Sequence, residues 1–220
     1  MNTAVSPKRA QTQDRLLDAA IALFAEKGVL GASVEEICER AGFTRGAFYS
    51  NFDSKDELLI AVLERKGDEV LAAARQATGS VPGERVEPGS IDDVIRQAMA
   101  VFLASHPIDR QWLLARIEMR LYALRNPSVR EPLRNVEEGL DALLTEAIQS
   151  VVERQGARLA IDSEQLVTLL NGYHESLATR ALLDGREPLG PEWAEHLARL
   201  VRIVLDFDDC LPGPHDPSHG

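Results

Sequence analysis

An all-α fold is what this sequence predicts, with three short helices leading into a larger helical body. Three observations carry the prediction. Apolar residues recur at spacings of three and four along almost the whole chain. No run of Val, Ile, Thr or aromatic residues alternates with period two between turn residues, so strands are not expected. Prolines fall at the boundaries of the helical segments, with Pro132 the exception, and a Gly-, Pro- and Ser-rich stretch at 78–90 separates two of them.

The first helix is expected over 12–27, with Leu16, Leu17, Ala20, Ile21 and Phe24 on one face and Gly28 ending it. Ser33 caps the second, and Glu36 three residues on completes a capping box. That helix buries Val34, Ile37, Cys38 and Ala41 and stops at Gly42. Thr44 caps a very short third helix that turns Ala47 and Phe48 inward. Ser54 and Glu57 form another capping box and open a long fourth helix reaching to about residue 77. The stretch TGSVPGERVEPGS, 78–90, is a loop. Further helices are expected near 91–105, 109–125, 128–155, 163–184 and 191–207, with Pro107, Pro127, Pro188 and Pro191 at their boundaries. Pro132 either marks the true start of its helix near residue 131 or bends its first turn. The end, LPGPHDPSHG, has no packing pattern and is expected to be disordered. The domains expected are therefore 1–55, 56–208 and a tail at 209–220.

Composition narrows the function. The 220 residues are 45% hydrophobic, enough for a substantial core, and no apolar run is long enough to span a membrane. The N-terminus lacks the apolar segment of a secretory signal, and two distant cysteines, Cys38 and Cys210, make no disulfide framework. A cytoplasmic location is expected. The formal net charge is −11, yet residues 1–55 hold seven basic and seven acidic side chains, so the rest of the chain carries the whole excess. An acidic body weakens long-range attraction to DNA while leaving a shaped, locally cationic surface usable.

The segment SVEEICERAGFTRGAFYSNF, from Ser33 to Phe52, reads as two short helices joined by a tight turn, a helix-turn-helix. Thr44 offers a hydroxyl and backbone N–H groups at a helix start, suited to a phosphate. Arg45 stands at the exposed front of the third helix, within reach of guanine or a phosphate. Gly46 lets the helix approach DNA closely. Tyr49 lies one turn on, with a ring for a thymine methyl or a hydroxyl for a phosphate. Asn51 and Lys55 follow at the far edge, suited to backbone contacts.

These residues, with LLDAAIALFAEKG before them and SKDELL after, resemble the DNA-binding domain of the TetR family of transcriptional regulators over about residues 10–60. The resemblance implies DNA contacts at Ser33, Thr44, Arg45, Gly46, Tyr49, Asn51 and Lys55. It also implies a homodimer whose last two helices pair into a four-helix bundle. It further implies a ligand cavity inside the body, whose occupation moves the two DNA heads apart. The stretch ARIEMRLYALRNPSVREPLR, 115–134, is similar to a common body type within that family.

In the body, Met99, Phe102, Trp112, Met119, Tyr122, Tyr173, His174 and Leu177 fall on apolar helical faces and are the candidate ligand residues. Core filling explains such residues as readily, and Tyr173 and His174 stand out because buried polar tips need partners. Two wide stripes near the end suit a dimer bundle: Leu166, Leu170 and Leu177 on one helix, Trp193, Leu197, Leu200 and Val204 on the next. His215 and His219 have Pro217 between them and no rigid element to present further ligands, so no metal site is expected. No Gly-rich phosphate loop or nucleophile constellation is present, and neither enzyme activity nor a cofactor is expected. The reading is a homodimeric regulator, a repressor released from a palindromic double-stranded DNA operator by a small hydrophobic effector. A ligand-sequestering helical protein and a small-molecule enzyme using the body cavity stay open as rivals.

Overall fold

The structure is a computed structural model and describes residues 7–78, 95, 99, 109–155, 158–188 and 192–206. In chain order its elements are α1 (Pro7–Gly31), α2 (Val34–Ala41), α3 (Arg45–Tyr49), α4 (Lys55–Thr78), α5 (Arg110–Arg125), α6 (Pro127–Gln155), β1 (Arg158–Leu159), α7 (Ser163–Leu183), α8 (Glu192–Val204) and β2 (Leu205–Asp206). The expected disordered tail, the loop at 79–90 and the helix near 91–105, apart from Ile95 and Met99, lie outside the described residues.

The first three helices follow local chemistry closely. α1 buries Leu16, Leu17, Ala20, Ile21 and Phe24, the face expected. Its helical geometry breaks at Gly28, whose φ of 76° and ψ of 164° suit glycine almost alone, and a final turn continues to Gly31. At α2, Ser33 Oγ accepts from the Glu36 N–H at 3.3 Å, and the Glu36 carboxylate accepts from the Ser33 N–H at 3.0 Å. Gly42 closes this helix in the left-handed region, with the Phe43 N–H returning to the Cys38 carbonyl at 2.9 Å. Thr44 then caps α3, its Oγ1 accepting from Ala47 N at 3.3 Å. At α4, Ser54 Oγ accepts from Glu57 N at 3.1 Å, while the Glu57 carboxylate takes the N–H of Asp53 rather than that of Ser54.

Pro132 neither starts its helix nor bends a first turn. α6 begins at Pro127 and runs through it. Asn126 alone joins α5 to α6, and its carbonyl accepts from Val129 and Arg130 at 3.2 Å each. Two short strands that the sequence pattern does not announce pair antiparallel, Arg158 with Asp206 and Leu159 with Leu205. Two residues are too few to show a period of two.

One apolar core joins the first four helices to α5 and α6. Phe24, Ile37, Phe48, Leu58 and Val62 share it with Met119 and Val129, all fully buried. Polar links reinforce it: Asp56 accepts from the Tyr122 hydroxyl at 2.8 Å and from Ser128 at 3.0 Å, and Arg65 on α4 bonds Asp18 on α1 at 2.7 Å. A second core gathers Ile95, Met99, Leu144, Leu166, Val167, Leu170, Leu197 and Val201.

That second core corrects part of the interface expectation. Leu166, Leu170 and Leu197 are at most 2% exposed within this one chain, so the inner edge of each stripe packs against its own body. Leu200 and Val204 are half-buried against the same cluster, and Leu177 is half-buried. The backbone of Trp193 lies in α8, while its side chain falls outside the described residues. Among the described residues, the large apolar side chains these two helices leave outside are Leu169, Tyr173, Leu183 and Ile203. A stripe of threes and fours wide enough for two neighbours does not reveal which edge meets which neighbour.

Two expectations follow. Gly28→Ala should destabilise the protein by about 1–3 kcal/mol, read from a denaturant midpoint, because its backbone conformation is one that L side chains rarely adopt. A Cβ there would also meet Glu118 Oε2 at 2.6 Å, but trimming that flexible side chain with Glu118→Ala should not restore stability. The second concerns acid. The Lys27 ammonium, the Ser33 N–H and the Ser33 hydroxyl hold the Glu36 carboxyl down from 4.5 to about 2. The unfolded chain therefore takes up that proton first, and the stabilisation is full above pH 4.5 and lost as pH falls toward 2. Glu36→Gln should flatten that part of the acid-unfolding profile.

Candidate nucleic-acid interface and body cavity

The helix-turn-helix presents α3 as a short bar with one anchored side. Phe48 is its one buried residue, packed edge-on against Tyr49 with ring centroids 5.2 Å apart and near Phe52 at 5.8 Å. Thr44, Arg45, Gly46 and Tyr49 are all exposed. Arg45 reaches back to Glu35 on α2 at 2.5 Å and lies 5.8 Å from the centroid of the Tyr49 ring, with the Tyr49 hydroxyl at 3.5 Å. An exposed pair of this kind is worth only about 0–1 kcal/mol, so the guanidinium can exchange Glu35 for a phosphate or a base edge. A Cβ on Gly46 would meet only Thr44 Oγ1, at an ordinary 3.7 Å. Nothing inside the fold requires glycine there, and the space it keeps open faces outward.

The edge residues are held differently. Asn51 donates to the Ala47 carbonyl at 2.7 Å and accepts from Arg9 Nε at 3.3 Å. Ser33 is half-buried and engaged in its capping box. Lys55 donates to the carbonyls of Val29 and Ala32 at 2.6 and 2.9 Å, beside the kink in α1, and burial pushes its ammonium below the ordinary lysine value. Two of its three donors thus serve the fold. Arg9 is a cation that sequence reasoning missed. α1 begins at Pro7, earlier than expected, which carries Arg9 to the end of α3, 3.4 Å from the Ser50 carbonyl. The unbroken helical run through PKRAQTQD was the available signal.

In the body, α4, α5, α6 and α7 surround a cavity of about 280 Å³. Of the eight candidate ligand residues, Trp112 and His174 line it. Met99 and Met119 are buried in the two cores, Tyr122 is spent on Asp56, and Phe102 lies outside the described residues. Tyr173 is exposed and Leu177 is not part of the lining. Tyr173 and His174 are adjacent on one helix, so a face that buries one turns the other outward.

The lining is far more charged than a hydrophobic effector calls for. Arg116 and Arg120 on α5 and Glu175 on α7 meet there, with Glu137 and Asp141 on α6. Arg116 bonds Glu175 at 3.0 Å, and Arg120 bonds both Glu137, at 2.6 Å, and Glu175. Burial, and after it the Arg120 guanidinium, pulls Arg116 below the ordinary arginine value. Burial also lowers Arg120, but Glu137 and Glu175 outweigh it and the net shift is upward. Burial and neighbouring Glu137 raise the Asp141 carboxyl. Sequence reasoning looked for aromatic and apolar residues and passed over these. The signal was two like-charged i, i+4 pairs of opposite sign, Arg116 with Arg120 and Glu137 with Asp141, on consecutive helices.

Comparisons with known proteins agree with this architecture. Residues 16–62 match the family described as bacterial regulatory proteins, tetR family. The HTH-type transcriptional repressor AcnR of Corynebacterium diphtheriae is 28% identical over 84% of this chain and 89% of its own length. The HTH-type nicotine-responsive transcriptional repressor HdnoR of Paenarthrobacter nicotinovorans is 29% identical over 90% of this chain and 97% of its own. The fold is shared with the fatty acid degradation regulator FadR from Bacillus halodurans, with a TM-score of 0.70, 18% identity, and coverage of 90% of this chain and 96% of that one. Among the described residues, no helix is long and apolar enough to cross a membrane. The exposed front of α3, the capped turn before it and these likenesses lead to one conclusion: residues 16–62 form a DNA-binding domain of the TetR family, in a chain similar over most of its length to HTH-type transcriptional repressors.

Proposed function

We propose that this protein is a homodimeric repressor that reads a palindromic double-stranded operator with two copies of α3 and leaves it when a small effector fills the body cavity. The observation that carries the reading is the outward set on α3: Arg45 and Tyr49 stacked one turn apart, with the bare Gly46 between them. In this reading Arg45 and Tyr49 meet base edges, and Gly46 admits the phosphate backbone. Thr44 and the half-buried Ser33 grip phosphates at two helix starts, while Asn51 and the remaining donor of Lys55 serve the far edge. Arg9, beside Asn51, adds a cation to that edge.

Two copies are needed because five residues of helix span too few bases, and a two-fold dimer offers a second half-site one helical turn away. The dimer would form through the apolar residues left outside on the last two helices, Leu169, Tyr173 and Ile203. Leu177, Leu200 and Val204, each half-buried, would flank them. Relatives named as repressors, one of them nicotine-responsive, support an effector-controlled output. Converting a population from almost all operator-competent to almost all released takes about 5.5 kcal/mol of differential effector affinity.

Selection of random duplex DNA at roughly physiological salt tests the reading, with Tyr49→Ala as control. The intact protein should enrich an inverted repeat and the variant should not; no enrichment by a folded dimer rules the operator role out. Affinity should fall steeply between about 50 and 200 mM salt as counterions are released. Thr44→Ala should weaken all sequences alike. Arg45→Ala should cost about 1–3 kcal/mol on the selected site and relax preference at one base pair. Equal losses on selected and random DNA would remove the base-reading role from Arg45.

For the dimer, Leu169→Glu with Ile203→Glu should yield a folded monomer in sedimentation, with loss of the inverted repeat. A persisting dimer assigns the interface to other residues.

A further inference from the structure

Helices α5 and α6 form a hairpin closed by the single residue Asn126, and one charge pair fixes which of their positions face each other. Arg120 on α5 bonds Glu137 on α6 at 2.6 Å. One turn farther from Asn126 on each helix stand Arg116 and Asp141, again a cation opposite a carboxylate. Antiparallel helices in this register would close a second rung. The structure leaves it open.

Arg116 turns instead to Glu175 on α7, and Asp141 accepts from the Asn171 amide at 2.8 Å. Glu175 is already shared with Arg120, and both guanidinium groups meet its same oxygen, Oε2. Arg116 Nε is buried and makes no hydrogen bond among the described residues. The Asn171 bond to Asp141 uses Oδ1. Both side chains line the cavity, together with Leu133, Val136, Leu140 and Trp112. The volume, about 280 Å³, falls just below the range of about 300–1,000 Å³ usual for ligand pockets, so a long acyl chain does not suit it.

From the open rung we infer that the effector is a small zwitterion, whose carboxylate meets Arg116 and whose ammonium meets Asp141, with its carbon frame against Leu133, Val136 and Leu140. The inference rests on the reading of this cavity as the effector site. It names a different class from the hydrophobic effector that the sequence suggests. An apolar ligand would leave the Arg116 Nε–H buried without a partner and the half-buried Asp141 carboxylate with the Asn171 amide but no cation, a costly arrangement. A ligand with one charge would satisfy one side of the rung and leave the other as it is. The directions in which Arg116 and Asp141 are shifted agree with this: burial first, and then a like-charged neighbour, Arg120 or Glu137, disfavours the charged form of each.

Calorimetric titration of the full-length protein with four probes of matched shape tests it: 4-(aminomethyl)benzoate, 4-methylbenzoate, 4-methylbenzylamine and p-xylene. The zwitterion should bind at least about tenfold more tightly than either singly charged probe, the value of one charge-assisted hydrogen bond. Asp141→Asn should remove its advantage over 4-methylbenzoate, and Arg116→Met its advantage over 4-methylbenzylamine. If Arg116→Met does not fold, the nearly isosteric Asp141→Asn carries the comparison. Tightest binding by p-xylene, equal binding of all four, or binding of none overturns the inference. Each preparation is also taken through the DNA selection. A protein that selects an operator but fails the titration overturns the zwitterion alone, whereas one that fails both overturns the regulator reading with it.

Discussion

The apolar core around Met119 is the constraint on which the rest of the molecule depends. Phe24, Phe48 and Leu58 pack in the same fully buried cluster as this α5 side chain, so the helices that carry the DNA-reading face are seated on the body. A close-packed interior has few intermediate arrangements, and a displacement of α5 or α4 is felt at the helix-turn-helix rather than absorbed on the way. Asp56 adds direction to this coupling. It stands in the first turn of α4 and takes the Tyr122 hydroxyl from α5 and the Ser128 hydroxyl from the start of α6.

The cavity sits against the same elements. Leu63 belongs to the Met119 core and also lines the cavity, as do Leu133 and the partly buried Trp112. Arg116 and Arg120 lie on α5 close to Met119 in sequence and reach into the cavity from the adjoining face of that helix. Packing and charge therefore divide α5 between them: the apolar face holds the head, and the cationic face meets Glu137 and Glu175. An occupant of the cavity bears on a helix whose adjoining face is already fixed in the core.

Where short-range chemistry decides, the sequence was readable. Ser33 with Glu36, Gly42 with Phe43, and Thr44 with Ala47 each form from residues at most five apart, and all three occur as the spacing predicts. The burial of Leu16 through Phe24 followed from periodicity alone. Long-range choices were not readable. Nothing local in the stripe on α7 told that Leu166 and Leu170 pack inward while Leu169 stays outside. Lys55 is similar: its attachment to Val29 and Ala32, 26 and 23 residues away, depends on the break at Gly28 aiming those carbonyls at it. The charged cavity was missed because polar residues on helices are solvated in most proteins, and only the tertiary arrangement gathers Arg116, Asp141 and Glu175.

The anchoring of α3 through Phe48 alone bears on how such a protein diverges. Exposed substitutions with no packing partner usually shift stability by no more than about 0.5 kcal/mol. Arg45, Gly46 and Tyr49 are exposed, and their contacts are limited to surface pairs and the edge of Phe48, so a descendant can replace them one at a time without losing its folded state along the way. In the reading proposed for these residues, the vocabulary of recognised DNA can drift while Phe48 keeps the grammar of the fold. Duplicated copies of such a gene have a short path to separate targets.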